Sequence, residues 1–169
     1  MKQLFDMMAG YNGWANERLY AAAAALPDDL YRKEHGAFFG SVHRTLNHLL
    51  VGDRIWMGRF TGTHDGPKQL DVVLFEDLDD LRLARRAEDE RIAGYVGGLS
   101  DAALAGLFRY KTISNPMAVE QPLAPALMHF FNHQTHHRGQ VHCLLTQLAG
   151  DAPSLDLILY QRESGAGMK

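Results

Sequence analysis

The run Ala126-Leu127-Met128-His129-Phe130-Phe131-Asn132-His133-Gln134-Thr135-His136-His137-Arg138-Gly139-Gln140-Val141-His142-Cys143-Leu144 decides how the chain is read. At alternating steps of three and four, Ala126, Phe130, His133, His137, Gln140 and Leu144 share one seam of a helix. Apolar residues mark both ends of that seam as core, yet three hydrogen-bonding side chains occupy its middle. The helix is expected to start around Pro122 to Pro125 and to stop at Gly150, a C-terminal cap.

Working outward, the same periodicity predicts three more long helices. The first carries Leu4, Met8, Tyr11, Ala15, Leu19, Ala22 and Leu26, and ends at Pro27-Asp28-Asp29. The second is capped by Ser41, carries Val42, Leu46, Leu49, Asp53, Trp56 and Phe60, and stops at Gly62. The third begins near Glu76-Asp77, places Asp79 and Asp80 where the helix dipole favours acids, and ends near Gly97-Gly98. Between the third and fourth, Leu107 to Ile113 and Met117 to Gln121 flank Ser114-Asn115-Pro116, the pattern of a small hairpin. Leu155 to Tyr160 reads as a short packed helix. The prediction is an all-α four-helix bundle with that hairpin, one domain over residues 1–163, and a frayed tail over 164–169.

Composition narrows the function. The chain has 169 residues, 46% hydrophobic and 22% charged, as expected for one globular domain. Its 17 basic and 20 acidic residues form no basic stripe, which argues against a nucleic-acid partner. No apolar stretch is long enough to span a membrane. The N-terminus meets Asp6 before a signal-like apolar region develops, and the single cysteine, Cys143, forms no internal disulfide; both suit a cytoplasmic setting. Cys143 reads as a small core or interface hydrophobe without a nearby base.

Nine histidines stand out. His133 and His137, one turn apart, can direct nitrogens at one ion, although His129/His133 shares the spacing and His136 adds a three-step partner. The competing reading is a hydrogen-bonded core, which must offset the burial of three polar groups. A metal needs at least one more ligand, and His48 on the second helix, beside Leu49, offers it from a facing side of the bundle. Asp53 is a fourth ligand, an outer hydrogen-bond acceptor, or half of a buried ion pair with Arg138; the last two are preferred. Gln140, Arg138 and Asn12 are the other candidates for support around the site. Asn12 and Asn16 either tie helices together or form a solvated flank, with the flank favoured. Glu88 is expected to pair with Arg85 or Arg91, and Trp14 and Trp56 to anchor packing. His35, His43, His64 and His142 are placed on the surface or in loops.

Leu46-Asn47-His48-Leu49-Leu50-Val51-Gly52-Asp53 with Trp56, and Asn132-His133-Gln134-Thr135-His136-His137-Arg138-Gly139-Gln140, resemble the two signature segments of DinB-like (YfiT-like) proteins. Tyr11-Asn12-Gly13-Trp14-Ala15-Asn16 and Leu155-Asp156-Leu157 extend the resemblance along nearly the whole chain. It implies a four-helix bundle with one divalent metal ion per chain, zinc or nickel, on His48, His133 and His137, and a homodimer. It also implies a metal-dependent enzyme acting on a small thiol and an electrophile by S-transfer, because relatives include such transferases. The alternatives are a metal-dependent hydrolase, or a non-enzymatic stress-response protein that binds metal or ligand as a dimer. Phe5, Met7 and Phe131 are the apolar residues expected to be left over for a dimer face.

Overall fold

The computed structural model describes residues 1–113 and 116–168. Four long helices form the bundle: α1 (Lys2–Ala24), α3 (Val42–Thr61), α4 (Leu78–Gly97) and α6 (Leu123–Ala149). Three short helices, α2 (Asp28–Arg32), α5 (Asp101–Ala105) and α7 (Leu157–Ser164), and one hairpin, β1 (Leu107–Lys111) with β2 (Ala118–Pro122), complete the described chain. The expected four-helix bundle is thus the observed fold, with α2 and α5 as additions.

Local chemistry sets the helix ends. Ser41 Oγ accepts the Arg44 amide at 3.2 Å, and Asp77 accepts the amides of Asp79 and Asp80 at 2.8 and 3.1 Å. Caps of this kind each stabilise a helix by about 1 kcal/mol. Gly62 and Gly150 close α3 and α6 in the left-handed region, at φ 73° and 77°, where a side chain would clash. The strands pair antiparallel, Leu107 opposite Pro122 through Lys111 opposite Ala118, and the Leu123 amide donates to the Gly106 carbonyl at 2.9 Å, so the hairpin runs directly into α6. The Ser114-Asn115 part of the expected turn, and Lys169 of the expected tail, lie outside the described residues. Ser164, assigned to that tail, is the last residue of α7.

α1 and α3 each pack against both α4 and α6. The helices joined by α2, like those joined by the hairpin, therefore face each other across the bundle, while α3 and α6 lie side by side. One apolar cluster holds Phe5, Trp56, Ile92, Leu127, Phe130 and Phe131; the other holds Leu19, Tyr20, Leu46, Leu50, Leu81 and Leu144. Between them, all four helices contribute buried polar residues: Asn12 and Asn16, Asp53, Arg85, Gln134 and Arg138.

That layer corrects several expectations. Asn12 and Asn16 are fully buried rather than solvated. Asp53 pairs with Arg85 at 2.6 Å, not with Arg138, because α4 delivers Arg85 to the Asp53 side of the core. Arg85 reaches Asp89 at 3.0 Å as well. Arg138 instead donates to the Asn12 side-chain oxygen Oδ1 and stands over the Tyr11 ring at 5.1 Å. Two arginines against two carboxylates leave the layer formally neutral, which offsets the desolvation of each charge. Glu88, in contrast, pairs as expected with Arg91, at 3.2 Å, and also with Arg54 at 3.8 Å.

Elsewhere, Leu4 is exposed and Phe5 takes its place in the core, a one-residue rotation at the start of α1. Phe5 and Phe131 are buried against each other, ring centres 6.4 Å apart, and so form no second apolar face. Cys143 is exposed, since it falls one position off the buried stripe of Val141, Leu144 and Leu145. Among the described residues, no helix is long and apolar enough to cross a membrane.

Candidate metal centre

The adjacency of α3 and α6 brings His48 against His133 and His137. The ligand-capable nitrogens of these three lie within 4.8 Å of one another, and no other His, Cys, Asp or Glu joins the group among the described residues. Each ring is oriented by a different device. His48 Nδ1 lies 2.8 Å from the Leu70 carbonyl oxygen, an acceptor, so the proton sits on Nδ1 and Nε2 carries a lone pair. Phe39, in the loop before α3, stacks on the same ring at 3.8 Å. His137 Nδ1 donates to Gln140 Oε1 at 2.8 Å, which turns its Nε2 toward His133 Nε2, 3.1 Å away.

His133 needs space as well as orientation. The ring lies so close to α3 that a Cβ on Gly52 would stand 3.0 Å from His133 Cε1. A glycine inside a helix weakens it, so its presence at a point where an imidazole presses on the backbone has a packing reason.

Burial pushes the His48 imidazole down to about 4, against the pull of the Leu70 carbonyl. Burial, reinforced by His137 and His48, pushes His133 down to about 3. His137 is lowered by burial too, with Gln140 opposing. All three rings are therefore neutral at neutral pH, the protonation state that ligates a metal. His48 Nε2 is buried and has no hydrogen-bond partner. An orphaned lone pair is costly to desolvate, and a cation shared with the two facing nitrogens would satisfy it. The residues present fit a divalent ion.

The supporting candidates divide. Gln140 touches His137 directly and, through its amide nitrogen 3.3 Å from His136 Nε2, links His137 to His136. Asp53 touches none of the three histidines: it accepts from Arg85 and from the Gln134 side-chain amide. Gln134 also donates to the Leu49 carbonyl at 3.3 Å, tying α6 to α3 beside His133. Arg138 ties α6 to α1 beside His137 through the Asn12 side chain, and neither Gln134 nor Arg138 hydrogen-bonds to any of the three histidines. Sequence reasoning missed Gln134, Phe39 and Gly52; of these, only the helical glycine carried a local signal.

The remaining histidines stand apart. His129 is exposed, with its ring 5.2 Å from Trp56 and 6.1 Å from His133, and His136 is exposed beside Gln140. His43, expected at the surface, is buried and lies 3.0 Å from the Tyr31 hydroxyl and 3.4 Å from Glu76. His64 is exposed in the loop after α3, and His35 and His142 are half-buried. A cleft of about 450 Å³, lined by His48, His133, Trp56 and Tyr110 among others, opens the group to the outside.

The profile of the DinB family matches residues 1–167. Protein DinB of Bacillus subtilis (strain 168) is 27% identical over 160 residues, covering 89% of this chain and 89% of that protein.

Proposed function

This chain belongs to the DinB family, and from that premise we propose that it is a metal-dependent enzyme joining a small thiol to an electrophile. His48, His133 and His137 would hold one divalent ion per chain, zinc or nickel, since both ions favour imidazole. When bound, the ion supplies Lewis acidity that keeps a thiol sulfur ionised and nucleophilic at neutral pH.

The observation that carries this reading is an unpartnered His48 Nε2 beside an open cleft. A structural site would be closed by four protein ligands, whereas three nitrogens leave room for a substrate. The chain's own residues do the positioning. The Leu70 carbonyl and Gln140 fix the proton of His48 and of His137 on Nδ1, away from the ion, and Phe39 shields one face of His48 from water. Cys143 is exposed on α6 and does not line the cleft, so the nucleophilic sulfur must come from a substrate. A reducing cytoplasm, rich in small thiols, suits that requirement.

Conjugation of monochlorobimane with several thiols, by metal-stripped and metal-reloaded protein, tests the proposal. A rate that needs both the ion and the three histidines is expected; no metal-dependent rate with any thiol removes the transferase reading. The homodimer belongs to the same proposal, with exposed Leu4 and Met128 on the neighbouring helices α1 and α6 as available apolar contacts. A monomeric mass by light scattering at micromolar concentration would count against it.

A further inference from the structure

From His48 and His133 the cleft runs past Trp56 and His129 to Arg59 and Tyr110. There it meets a wider hollow of about 850 Å³, bounded by the later turns of α3, the loop after it and the hairpin; Arg59 and Tyr110 line both. Arg59 is half-buried, with its guanidinium 4.6 Å from the Trp56 ring centre and 5.0 Å from that of Tyr110. One of its N–H groups donates to the Lys111 carbonyl at 3.0 Å. Lys68 and Lys111 line the wider hollow, whose one acidic wall residue, Glu120, is engaged by Arg109. Among the described residues, no carboxylate lies within ion-pair distance of Arg59, Lys68 or Lys111.

Positive charge is thus gathered, without counter-charge, along the approach to the histidines in a chain whose net charge is −3. A half-buried guanidinium has lost part of its hydration, and its planar fork matches a carboxylate in two parallel hydrogen bonds. Two aromatic faces hold that fork in place. We infer that the cleft binds an anionic organic molecule, its carboxylate on Arg59 and its flat apolar body against Trp56 and Tyr110. The inference rests on the proposed function only in naming the far end of that molecule, at the histidines, as the reacting end. Arg59 follows Gly52, the residue against which His133 packs, by seven positions on α3, or about 10 Å along the helix. A substrate with about that distance between its anion and its reacting atom fits.

Calorimetric titration of 4-phenylbutanoate against the uncharged 4-phenylbutanamide tests this. The metal-loaded protein is expected to bind the acid at least tenfold more tightly than the amide. Arg59→Gln should abolish that preference, Arg59→Lys should keep part of it, and Lys33→Gln, at an exposed lysine outside both hollows, should leave it near the parent's, all with native helicity by circular dichroism. The metal-stripped parent should keep the preference; its loss there would mean that the carboxylate binds the ion, and would overturn the assignment. Equal binding of acid and amide, no binding of the acid, or an undiminished preference in Arg59→Gln would overturn it as well. The readout is binding in loaded and stripped protein, so it stands or falls separately from thiol transfer.

Discussion

Replacing Gly52 by alanine disturbs the three histidines without removing one. A Cβ at this position has three nearest neighbours, all in His133: Cε1 at 3.0 Å, Nδ1 at 3.5 Å and Nε2 at 4.0 Å. Carbon atoms rest comfortably at about 3.5–4.0 Å, so the ring must retreat by roughly half an ångström. His133 Nε2 stands only 3.1 Å from His137 Nε2, and a retreat of that size changes the spacing of the group appreciably. Binding sites tolerate displacements of about 0.5 Å before they weaken, so a loss of about tenfold in metal affinity, roughly 1.4 kcal/mol, is expected.

Helix propensity acts in the opposite direction. Alanine for glycine inside a helix favours folding by about 0.5–1 kcal/mol, which raises the melting temperature of a chain this size by a few degrees. The metal-free variant should therefore melt at or slightly above the parent while binding metal more weakly. Gly139→Ala is the control: it lies inside α6 with no heavy atom within 4 Å of its would-be Cβ. It should gain the same stability with unchanged affinity. Competition titration against a chelating dye and thermal melts of stripped protein give both quantities. If Gly52→Ala holds metal as tightly as the parent, or weakens only as helicity is lost, the packing argument fails.

Three further outcomes follow from the same geometry. His48→Ala, His133→Ala and His137→Ala should each empty the protein of metal, measured by elemental analysis after purification, while His129→Ala and His136→Ala retain it; the reverse pattern would displace the assignment. The metal-free fold should lose stability on acidification. His48 stays neutral when folded down to about 4, against 6.5 as the ordinary value, so below pH 6.5 the unfolded chain takes up a proton that the folded one refuses. That single group contributes a loss of about 3 kcal/mol, complete near pH 4, and His48→Ala should make the urea-denaturation profile shallower across the window while the buried His133 and His137 keep the rest of the slope. Arg85→Leu strands the fully buried Asp53 carboxylate without its cation and should cost about 3–5 kcal/mol by chemical denaturation, whereas Asp53→Asn combined with Arg85→Leu should recover much of it. A single variant within 1 kcal/mol of the parent, roughly the worth of an exposed pair, would mean that the pair carries little.

Much of the fold was readable from one helix at a time. Ser41, Gly62, Asp77 and Gly150 mark helix ends through hydrogen bonds and backbone angles that depend on a few adjacent residues. His133 and His137 share a face because of helical spacing alone, and His48 lies beside Leu49 on the stripe that α3 turns inward. Periodicity is less secure at a helix end, where one residue of rotation exchanged Leu4 for Phe5.

What one helix cannot specify is its neighbour. Sequence alone offers Arg138 as the ion-pair partner of Asp53, whereas the pair forms with Arg85, because α4 rather than α6 presents its guanidinium to that carboxylate. Phe39 reaches His48 from a loop, Leu70 reaches it from another, and Gly52 matters only because α6 presses an imidazole onto it. The sequence by itself determined the helices, their inward stripes and the donor types available for a metal. The tertiary structure decided which donors converge, which charges pair and where the cleft opens, because side-chain period is a property of one helix, while contact across a bundle depends on the order and rotation in which the helices pack.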